Sequence, residues 1–510
     1  MSGLLIRDCS LMGQTGYSVY CEGGKVVTLL HGDLSPPRND TEVIEANGGA
    51  LCPGFIDTHC HPFEYGWLRR NVDLRGTSNV TAMRLRVMAG IQRAKPGEWV
   101  TGMGWDQEKF PGGTTPTRAD IDDISPVNPV ALSRVCGHIA LLNTRAIEEL
   151  NIAGRTSPEY EREGSGELTG IVKEKALDEV YRQLPRSQER CAADILSVES
   201  EAARMGLTGL HCILSSDAYP EELGAIASLA AAGSLSLRYR LYVPPESMDY
   251  IERNAFREKL DGAKVRLNGV KIYADGSLGA RTAALREPYS DDPGNTGILR
   301  YKDEELTGLV ETVDSKGYQA IVHAIGDRAV EQAIEAIATV TGGGNPRRHR
   351  IEHASMLPND LRSKVVRHGI RVSVQPLFVT SDTWAVDRLG EERVRDLYPL
   401  RSIVSDGITA SGGSDSPVES MNPILGMWAA MTRGGSTPEE ALDLEQALSL
   451  YTSNARSNGI DPDEPIEVGA QADFTLLDAE TVDTHPALFR KIGVLATVVG
   501  GAVISSYGAG

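Results

Sequence analysis

Six side chains of metal-binding types recur along the chain, each at the end of a segment that has the composition of a β-strand. They are His59, His61, Lys271, His323, His353 and Asp415. In a strand, alternate side chains point to the same face, so His59 and His61 share one face. Two neutral imidazoles at this spacing suit a divalent ion such as zinc. The sequence therefore predicts a metal site built from several strand ends.

The lysine among the six is chemically unusual. Lys271 lies between Val270 and Ile272, in a segment typical of a buried strand. A buried ammonium group is costly unless it is paired or neutralised. Two interpretations stay open. Lys271 pairs with Asp275 or another acid, or carbon dioxide carboxylates it and makes it a negatively charged metal ligand.

The remaining candidates close strand-like segments farther along the chain. His323 and His353 each end a predicted strand, and Asp415 follows a run of small residues at 411–414. A carboxylate beside a metal can ligate the ion and also take a proton from water, which makes Asp415 the candidate general base. His349 provides a contrast, because it lies about 13 Å from His353 along a strand and is not expected to be a ligand.

These residues lie in a pattern of strands alternating with helices, which is typical of a parallel sheet. Predicted strands cover 54–59, 207–213, 265–274, 319–323, 348–353, 371–375 and 409–413. An eighth strand is expected at 99–104 or at 130–135. Eight strand–helix units form a (β/α)8 barrel, an α/β fold whose active sites lie at the C-terminal ends of the strands. The six candidate residues all fall at such ends.

The spacing of the predicted strands also indicates the domain organisation. Nearly 150 residues separate the first strand from Leu207, too many for one strand–helix unit, so an insertion is expected at about 66–195. Short apolar runs separated by turns fill both ends of the chain and are typical of hairpins. We therefore expect a small β-sandwich domain from residues 1–52 and 463–510. A TIM-like barrel is expected over 53–462, with the insertion after its first strand.

The composition limits the classes of partner. The chain has 510 residues and a net charge of −19, from 70 acidic and 51 basic residues. Nucleic acids and anionic membranes need a basic surface, so we expect neither as a partner and expect a small-molecule substrate instead. Seven cysteines without regular spacing are typical of a cytoplasmic protein with reduced thiols. No stretch of the sequence approaches the length of an apolar membrane span.

Several motifs, in order, resemble those of one enzyme superfamily. They include PGFIDTHCH at Pro53–His61, RVCGHIALLN at Arg134–Asn143, GVKIYADGSLGART at Gly269–Thr282, VHAIGDRAV at Val322–Val330, RIEHA at Arg350–Ala354 and GSDSPV at Gly413–Val418. With these motifs the chain resembles the amidohydrolase superfamily over nearly its whole length. The resemblance is strongest to the branch that contains N-substituted formamide deformylase and related uncharacterised hydrolases.

The resemblance implies a binuclear metal centre. One ion would be held by the histidine pair of the first strand and Asp415, the other by His323 and His353, with carboxylated Lys271 as the bridging ligand. Paired metals lower the pKa of a shared water, so a metal-bound hydroxide would attack the substrate, and Asp415 would pass the proton to the departing nitrogen. Some superfamily members use one metal, so one or two ions per chain are expected, with zinc favoured by the ligand types. The resemblance is also compatible with a homodimer.

The expected activity is hydrolysis of a non-peptide carbon–nitrogen bond in an amide, formamide or N-acyl compound. Asp415, His138 and His353 are the candidate catalytic residues. A deaminase or a cyclic-amide hydrolase uses the same scaffold and ligands, and it stays open as an alternative. A lactone or phosphotriester hydrolase is less expected, although the barrel supports many chemistries. A barrel that binds without catalysis is also less expected, because all six ligands are present.

Five residues are candidates for contact with the substrate. They are Trp105, His138, His211, Asp275 and Arg281. His138 lies in a predicted loop, where it could donate to the substrate or stabilise the loop. His211 could face the pocket or pack in the core, and a tryptophan such as Trp105 more often packs than binds. Asp275 and Arg281 follow the strand that carries the lysine, so their loop is expected over the site, although a surface position for Arg281 stays open.

Overall fold

The chain folds into two compact units in a computed structural model. The structure describes residues 3–11, 13–135, 139–184, 186–462, 465–478 and 485–506. The first unit comprises Met1–Phe63 with Ala192–Gly510, and the second comprises Glu64–Cys191.

A parallel sheet of eight strands forms the centre of the first unit and is nearly closed into a barrel. In order around the sheet, its strands are Phe55–Cys60, Leu207–Ile213, Arg238–Val243, Val265–Tyr273, Gln319–Ala324, Arg350–His353, Arg371–Val374 and Ala410–Gly412. Each strand pairs in parallel with the next along the chain. The first and last strands meet just beyond the last strand's end, where Cys60 and Ser416 form a parallel bridge. The predicted α/β barrel is confirmed.

Helices alternate with the barrel strands. In the first unit they are Tyr219–Ala231, Met248–Arg253, Phe256–Lys259, Asp303–Ser315, Asp327–Thr341, Asn359–Arg367, Phe378–Ser381, Ala385–Arg393, Leu400–Ser405, Pro423–Thr432, Leu444–Tyr451, Ser453–Asn458 and Pro486–Phe489. In Asp327–Thr341 the buried apolar residues recur at helical spacing, and Gly342, with a φ of 62°, ends the helix in the left-handed conformation. Within the described ranges, none of the helices has the length and apolarity to cross a bilayer.

The position predicted for the eighth barrel strand was wrong. The barrel is completed by Arg238–Val243, whereas both segments proposed for that strand, at 99–104 and 130–135, lie in the sheet of the second unit. Charged residues are rare in buried strands, so the two arginines of this strand conceal it in the sequence. Asp473 and Asp461 neutralise them through ion pairs. Both aspartates lie more than two hundred residues away, so the local sequence does not reveal this compensation.

Strands from both ends of the chain form another sheet in the first unit. They are Leu4–Leu11, Gln14–Glu22, Lys25–His31, Glu42–Glu45, Ala50–Pro53, Phe474–Leu477, Val494–Val499 and Ala502–Ser506. The two portions join where Ala50–Pro53 pairs antiparallel with Phe474–Leu477. Side chains of both portions, among them Ile6, Leu51 and Phe474, share one buried core. The two ends of the chain therefore share a sheet and a core, whereas the sandwich packing of this domain stays a prediction.

The second unit is built on a six-stranded sheet of its own. In sheet order its strands are Tyr160–Arg162, Leu168–Lys173, Ile139–Leu142, Val130–Arg134, Val100–Trp105 and Val72–Asp73. Its helices include Val80–Arg93, Thr144–Glu149 and Glu174–Gln183. The helices Pro62–Arg70 and Gln188–Arg204 contain its two boundaries. One apolar cluster of this unit contains Trp99 and Leu142, and another contains Trp105 and Leu132, so the segment has cores of its own.

Candidate metal centre

Backbone hydrogen bonds bring together the candidate ligands of the first and last barrel strands. The Asp415 amide donates to the His59 carbonyl at 2.7 Å, and the His61 amide donates to the Ser416 carbonyl at 2.8 Å. Asp415 has a φ of 55°, a left-handed conformation that is costly for a residue with a Cβ. Because these bonds lie on both sides of Asp415, the contacts that close the barrel also place its carboxylate.

Three side chains at this junction form a cluster of metal-ligand type. The Nε2 atoms of His59 and His61 each lie 3.2 Å from Oδ1 of Asp415. One ligand atom from each residue lies within 4.8 Å of the other two. Burial favours the neutral acid, but the neighbouring histidines outweigh it and hold the pKa of Asp415 well below its usual range. Asp415 is therefore ionised at neutral pH and can serve as a ligand or as a base.

A buried carboxylate sets the tautomer of His59. Glu352 accepts a hydrogen bond from Nδ1 of His59, and its other oxygen accepts one from Nε of Arg350. All three side chains are at most 1% exposed. Burial favours the neutral acid, but Arg350 and His59 outweigh it and hold the pKa of Glu352 far below its usual range. With the proton on Nδ1, His59 presents the lone pair of Nε2 to the cluster, as a metal ligand requires.

His353 joins the cluster because the backbone leaves the strand conformation at this residue. Glu352 and His353 are neighbours and would point to opposite faces of a regular strand. A φ of 71° at His353 breaks that alternation, and its ring centroid lies 4.8 Å from that of His59 and 4.4 Å from that of His323. Nδ1 of His353 donates to Oε1 of Gln375 at 2.8 Å, which leaves the lone pair on Nε2. Burial lowers the pKa of His353 well below its usual value, so the ring is neutral.

The loop after the fourth barrel strand orients His323. Nε2 of His323 donates to the Gly276 carbonyl at 3.0 Å and lies 3.4 Å from Oδ1 of Asp275. Asp275 is fully buried and accepts hydrogen bonds from the amides of Ala284 at 3.0 Å and Gly326 at 2.9 Å. These bonds tie the loop to its neighbours and leave Nδ1 of His323 as the lone-pair atom.

Lys271 lies next to the histidine cluster. Its Nζ is 3.1 Å from Nε2 of His59, and the residue is 1% exposed. Burial lowers the pKa of Lys271 to about 8, although the charges of Glu352 and Asp415 oppose this effect. No ion pair joins Lys271 to Asp275 in the described part of the chain, where Asp275 accepts hydrogen bonds from backbone amides and lies beside His323.

These donor atoms fit a divalent metal ion. His59, His323 and His353 each have one ring nitrogen bonded to a protein oxygen, which leaves the other nitrogen as a ligand atom. Together with the ionised carboxylate of Asp415 they make a nitrogen and oxygen donor set of the kind that zinc prefers. A cation between these groups would bind the unprotonated ring nitrogens of the three histidines and the carboxylate of Asp415.

Comparison of the sequence with models of known protein families shows which family the chain belongs to. The family model Amidohydro_3, described as an amidohydrolase family, matches residues 42–505 of the chain. The chain belongs to this amidohydrolase family. The resemblance of its motifs is thereby confirmed.

Individual proteins that are similar to this amidohydrolase are also hydrolases by name. It is 32% identical to YtcJ of Bacillus subtilis (strain 168), an amidohydrolase by name, over 91% of this chain and 90% of that protein. It is 25% identical to N-substituted formamide deformylase of Arthrobacter pascens, over 98% and 96% of the two chains. An uncharacterized metal-dependent hydrolase from Pyrococcus furiosus has a similar structure, with a TM-score of 0.80 and 29% identity, over 94% of this chain and 99% of that one. The amidohydrolase is therefore an enzyme that acts on carbon–nitrogen bonds other than peptide bonds, and these similarities support a divalent metal.

The residues predicted to contact the substrate of the amidohydrolase occupy different environments. His138 lies outside the described residues. Trp105 is fully buried in a core of the second unit and donates from Nε1 to the Leu132 carbonyl at 2.7 Å, so it packs rather than lines a site. Arg281 is partly exposed and forms an ion pair with Asp291 at 2.9 Å, which agrees with the surface position that the sequence left open. Asp275, as described above, ties a loop.

His211 is buried, with 1% of its surface exposed, and its contact with the substrate stays a prediction. It lies on the second barrel strand, where its Nδ1 accepts a hydrogen bond from Nη1 of Arg350 at 3.1 Å. Arg350 in turn binds Glu352, so His211 continues the hydrogen-bond chain that begins at the candidate ligand His59. Both ring nitrogens of His349 form hydrogen bonds within the protein, Nδ1 with the Ala320 amide and Nε2 with the Asp314 carboxylate. Neither nitrogen is left as a metal-ligand atom.

Three buried polar residues that support the centre had no role in the sequence analysis. They are Glu352, Gln375 and Asp57. Asp57 accepts hydrogen bonds from Oγ of Ser414 at 2.5 Å and from the His59 amide at 3.1 Å. Burial raises the pKa of Asp57 to about 7. Asp57 and Glu352 did carry a signal, because each is an acid in a buried strand and lies within two residues of a candidate ligand. Gln375 carried no signal beyond its polarity at a strand end.

Proposed function

We propose that this amidohydrolase hydrolyses the carbon–nitrogen bond of an amide, formamide or other N-acyl small molecule. The observation that carries the proposal is the convergence of His59, His61 and Asp415, whose ligand atoms lie within 4.8 Å of one another at the C-terminal end of the barrel. Active sites of this fold lie at that end. The name of the relative from Arthrobacter pascens, N-substituted formamide deformylase, supports an N-formyl or N-acyl substrate.

In this proposal the same cluster and its neighbours hold one or two divalent ions, with zinc as the expected metal. His59, His61 and Asp415 would hold one ion, and His323 and His353 the other. When bound, such an ion supplies Lewis-acid chemistry, which lowers the pKa of a water and polarises the substrate carbonyl. The hydrogen bonds from the imidazoles to protein oxygens keep the ligand nitrogens unprotonated and aimed at the cluster.

Lys271 would bridge the two ions as a carbamate. Only a neutral amine attacks carbon dioxide, and the attack releases one proton as the N–C bond forms. With burial lowering the pKa of Lys271 to about 8, roughly one lysine in ten is neutral at pH 7 before any carboxylation. A larger fraction of Lys271 is therefore neutral, and able to react with carbon dioxide, than of an exposed lysine.

Asp415 would move the proton. Its carboxylate is ionised, because the neighbouring histidines outweigh the effect of burial on its pKa. It can accept a proton from the attacking water and deliver it to the departing nitrogen, so a free amine leaves. We further propose that the enzyme works in the cytoplasm, which agrees with the six described cysteines being free. The homodimer with which the family resemblance is compatible is also part of this proposal.

The test combines metal counting with a substrate panel. We expect purified enzyme to contain close to two ions per chain by plasma mass spectrometry and to release amines from N-formyl and N-acyl compounds. Ammonia release from amino-heterocycles would assign the deaminase alternative instead. Turnover confined to phosphotriesters or lactones, or no metal after reconstitution, would contradict the proposal.

The variant Asp415→Asn tests the proton-transfer role. Loss of general acid–base catalysis should lower kcat by about 10²–10⁴-fold. Asp303→Asn is the control, because Asp303 is a half-exposed carboxylate in an ion pair with Arg328 and should be silent. Full turnover of Asp415→Asn with its metal retained would show that another group moves the proton.

A further inference from the structure

A cavity of about 350 Å³ lies between two segments that follow the last two barrel strands. It is lined by residues from 379–398 and from 433–437, all of which belong to the first unit. Pockets that bind small molecules begin at roughly 300 Å³. The cavity therefore has room for one small organic ligand.

A buried arginine in this cavity has hydrogen-bonding capacity that the protein does not use. Arg433 is 2% exposed. Its Nε donates to Oγ1 of Thr437 at 2.8 Å and its Nη1 donates to the Tyr398 carbonyl at 2.9 Å, and both of these residues also line the cavity. Its Nη2 makes no hydrogen bond with any residue in the described ranges. A guanidinium carries five N–H donors and stays charged in proteins, so Arg433 has donors left for a ligand.

The nearby glutamates do not pair with Arg433. Burial lowers the pKa of Arg433, and the charges of Glu440 and Glu439 oppose this effect. The carboxylate of Glu440 is engaged by Ser402, whose amide donates to it at 2.9 Å and whose hydroxyl donates to it at 2.6 Å. In the part of the chain that the structure describes, no carboxylate forms an ion pair with this guanidinium.

The rest of the cavity combines one acid with apolar walls. Asp382 accepts a hydrogen bond from the hydroxyl of Tyr398 at 2.5 Å. The hydroxyl of this tyrosine thus engages the acid, whereas its backbone carbonyl engages the arginine. Apolar wall is supplied by Val379, Val386 and Leu397. The cavity therefore suits a ligand that has an acceptor group at one end and an apolar body.

The backbone is strained at three polar residues of the cavity. The φ angle is 51° at Tyr398, 52° at Arg433 and 39° at Thr437. These values lie in the left-handed region, which residues with a Cβ seldom adopt. Strained residues of this kind cluster at active sites and ligand clamps. Here the strain is concentrated on the arginine and on the two residues that hold it.

One aromatic side chain connects the cavity to the metal centre. The ring of Phe378 lies nearly parallel to that of His353, with centroids 6.4 Å apart and planes inclined by 7°. The same ring meets that of Tyr398 edge-on, with centroids 6.4 Å apart. Two ring contacts therefore connect a candidate metal ligand to the wall of the cavity.

We propose that this cavity binds a small organic carboxylate with an apolar body. The carboxylate oxygens would accept the unused donors of Arg433, because guanidinium groups bind carboxylates through paired N–H donors. The apolar body would pack against the valine and leucine side chains of the wall. The acid is either a separate ligand or the carboxylate end of an N-acyl substrate, and only the second case rests on the proposed hydrolysis.

Isothermal calorimetry with benzoate tests the proposal on the metal-loaded enzyme. Arg433→Gln should weaken benzoate binding by about tenfold or more, because charge-assisted hydrogen bonds are lost. Arg362→Gln is the matched control: Arg362 is 13% exposed and also donates to a backbone carbonyl, that of Leu357, at 3.0 Å. Any benzoate bound at the metal centre is common to all three proteins, so their difference reports the cavity. Equal binding by wild type and Arg433→Gln would overturn the proposal.

A crystallographic measurement on the wild-type enzyme does not depend on the folding of a variant. The bromine of 4-bromobenzoate has an anomalous signal that locates the ligand directly. The proposal expects a bromine peak in the cavity, with a carboxylate oxygen about 2.7–3.2 Å from a guanidinium nitrogen of Arg433. A peak confined to the metal cluster, or no peak, would show that the cavity does not bind carboxylates.

Kinetics distinguish the two sources of the acid, with an N-acyl amino acid and its neutral methyl ester as substrates. If the substrate supplies the carboxylate, Arg433→Gln raises KM for the acid by about tenfold and leaves KM for the ester unchanged. If a separate acid is the ligand, both KM values stay at the wild-type level while benzoate binding is lost. Absence of turnover with either substrate would contradict the proposed hydrolysis, whereas the calorimetric result still decides whether the cavity binds a carboxylate.

Discussion

The dependence of the metal centre on Glu352 can be tested with a single isosteric substitution. Glu352→Gln keeps the size of the side chain and removes one negative charge. In the structure this charge faces both the Nε proton of Arg350 and the Nδ1 proton of His59. The variant therefore leaves the guanidinium of Arg350 buried without its carboxylate and weakens the bond that orients His59.

The expected magnitudes follow from this geometry. Breaking a fully buried ion pair by removing one partner costs about 3–5 kcal/mol of stability. Loss of a group that orients a metal-binding histidine lowers metal affinity by about 10–100-fold. Both effects are expected together, because Arg350 and Glu352 have no measurable exposure and solvent cannot take the place of the lost charge.

Urea denaturation and competition with a chelator measure the two effects. The control is Glu331→Gln, which breaks partly exposed ion pairs with Arg286 and Lys364 and should cost about 1 kcal/mol or less. Glu352→Gln should lose metal to the chelator at concentrations that leave the control loaded. If Glu352→Gln matches the control in both stability and metal affinity, the orienting role of this carboxylate is refuted.

The pH dependence of stability gives an independent check on the same residue. Because its folded pKa is depressed, the ionised Glu352 contributes stability above the unfolded carboxyl pKa of about 4.3. That contribution falls as pH drops below this value, since the unfolded chain then binds a proton that the folded chain does not. Wild type should therefore lose stability more steeply than Glu352→Gln between about pH 5 and pH 3.

Three further substitutions test other parts of the structure. Lys271→Ala should lower the metal content measured by plasma mass spectrometry, and added short carboxylic acids should restore it; two ions per chain without added acid would exclude the bridging role. His349→Ala should leave the metal content unchanged, while denaturation shows a loss of about 1–3 kcal/mol from the unsatisfied Ala320 amide. Trp105→Phe should cost a similar amount, because the buried Leu132 carbonyl loses its donor, with kcat/KM within twofold of wild type. A rise in KM for Trp105→Phe would instead return Trp105 to the substrate site.

Local patterns were enough to predict the barrel and the side chains that cluster at its C-terminal end. Alternation in the strand that carries His59 and His61 predicts that both imidazoles share a face, and the short run before Asp415 predicts a strand end. The expectation of a strand at 99–104 or 130–135 was correct as secondary structure and wrong as barrel membership. Strand propensity reports that a segment is extended and buried, but it does not report which sheet the segment joins.

The sequence by itself determined the types and order of the candidate ligands and the α/β alternation that brings strand ends to one side of a barrel. Only the tertiary structure decided which group orients each ligand. The Glu352–His59 contact joins residues 293 positions apart. The left-handed backbone of His353 and Asp415 also places their side chains against the alternation of a strand. The physical reason is that periodicity follows from local backbone geometry, whereas buried charges are stabilised by partners from distant segments that meet only when the barrel closes.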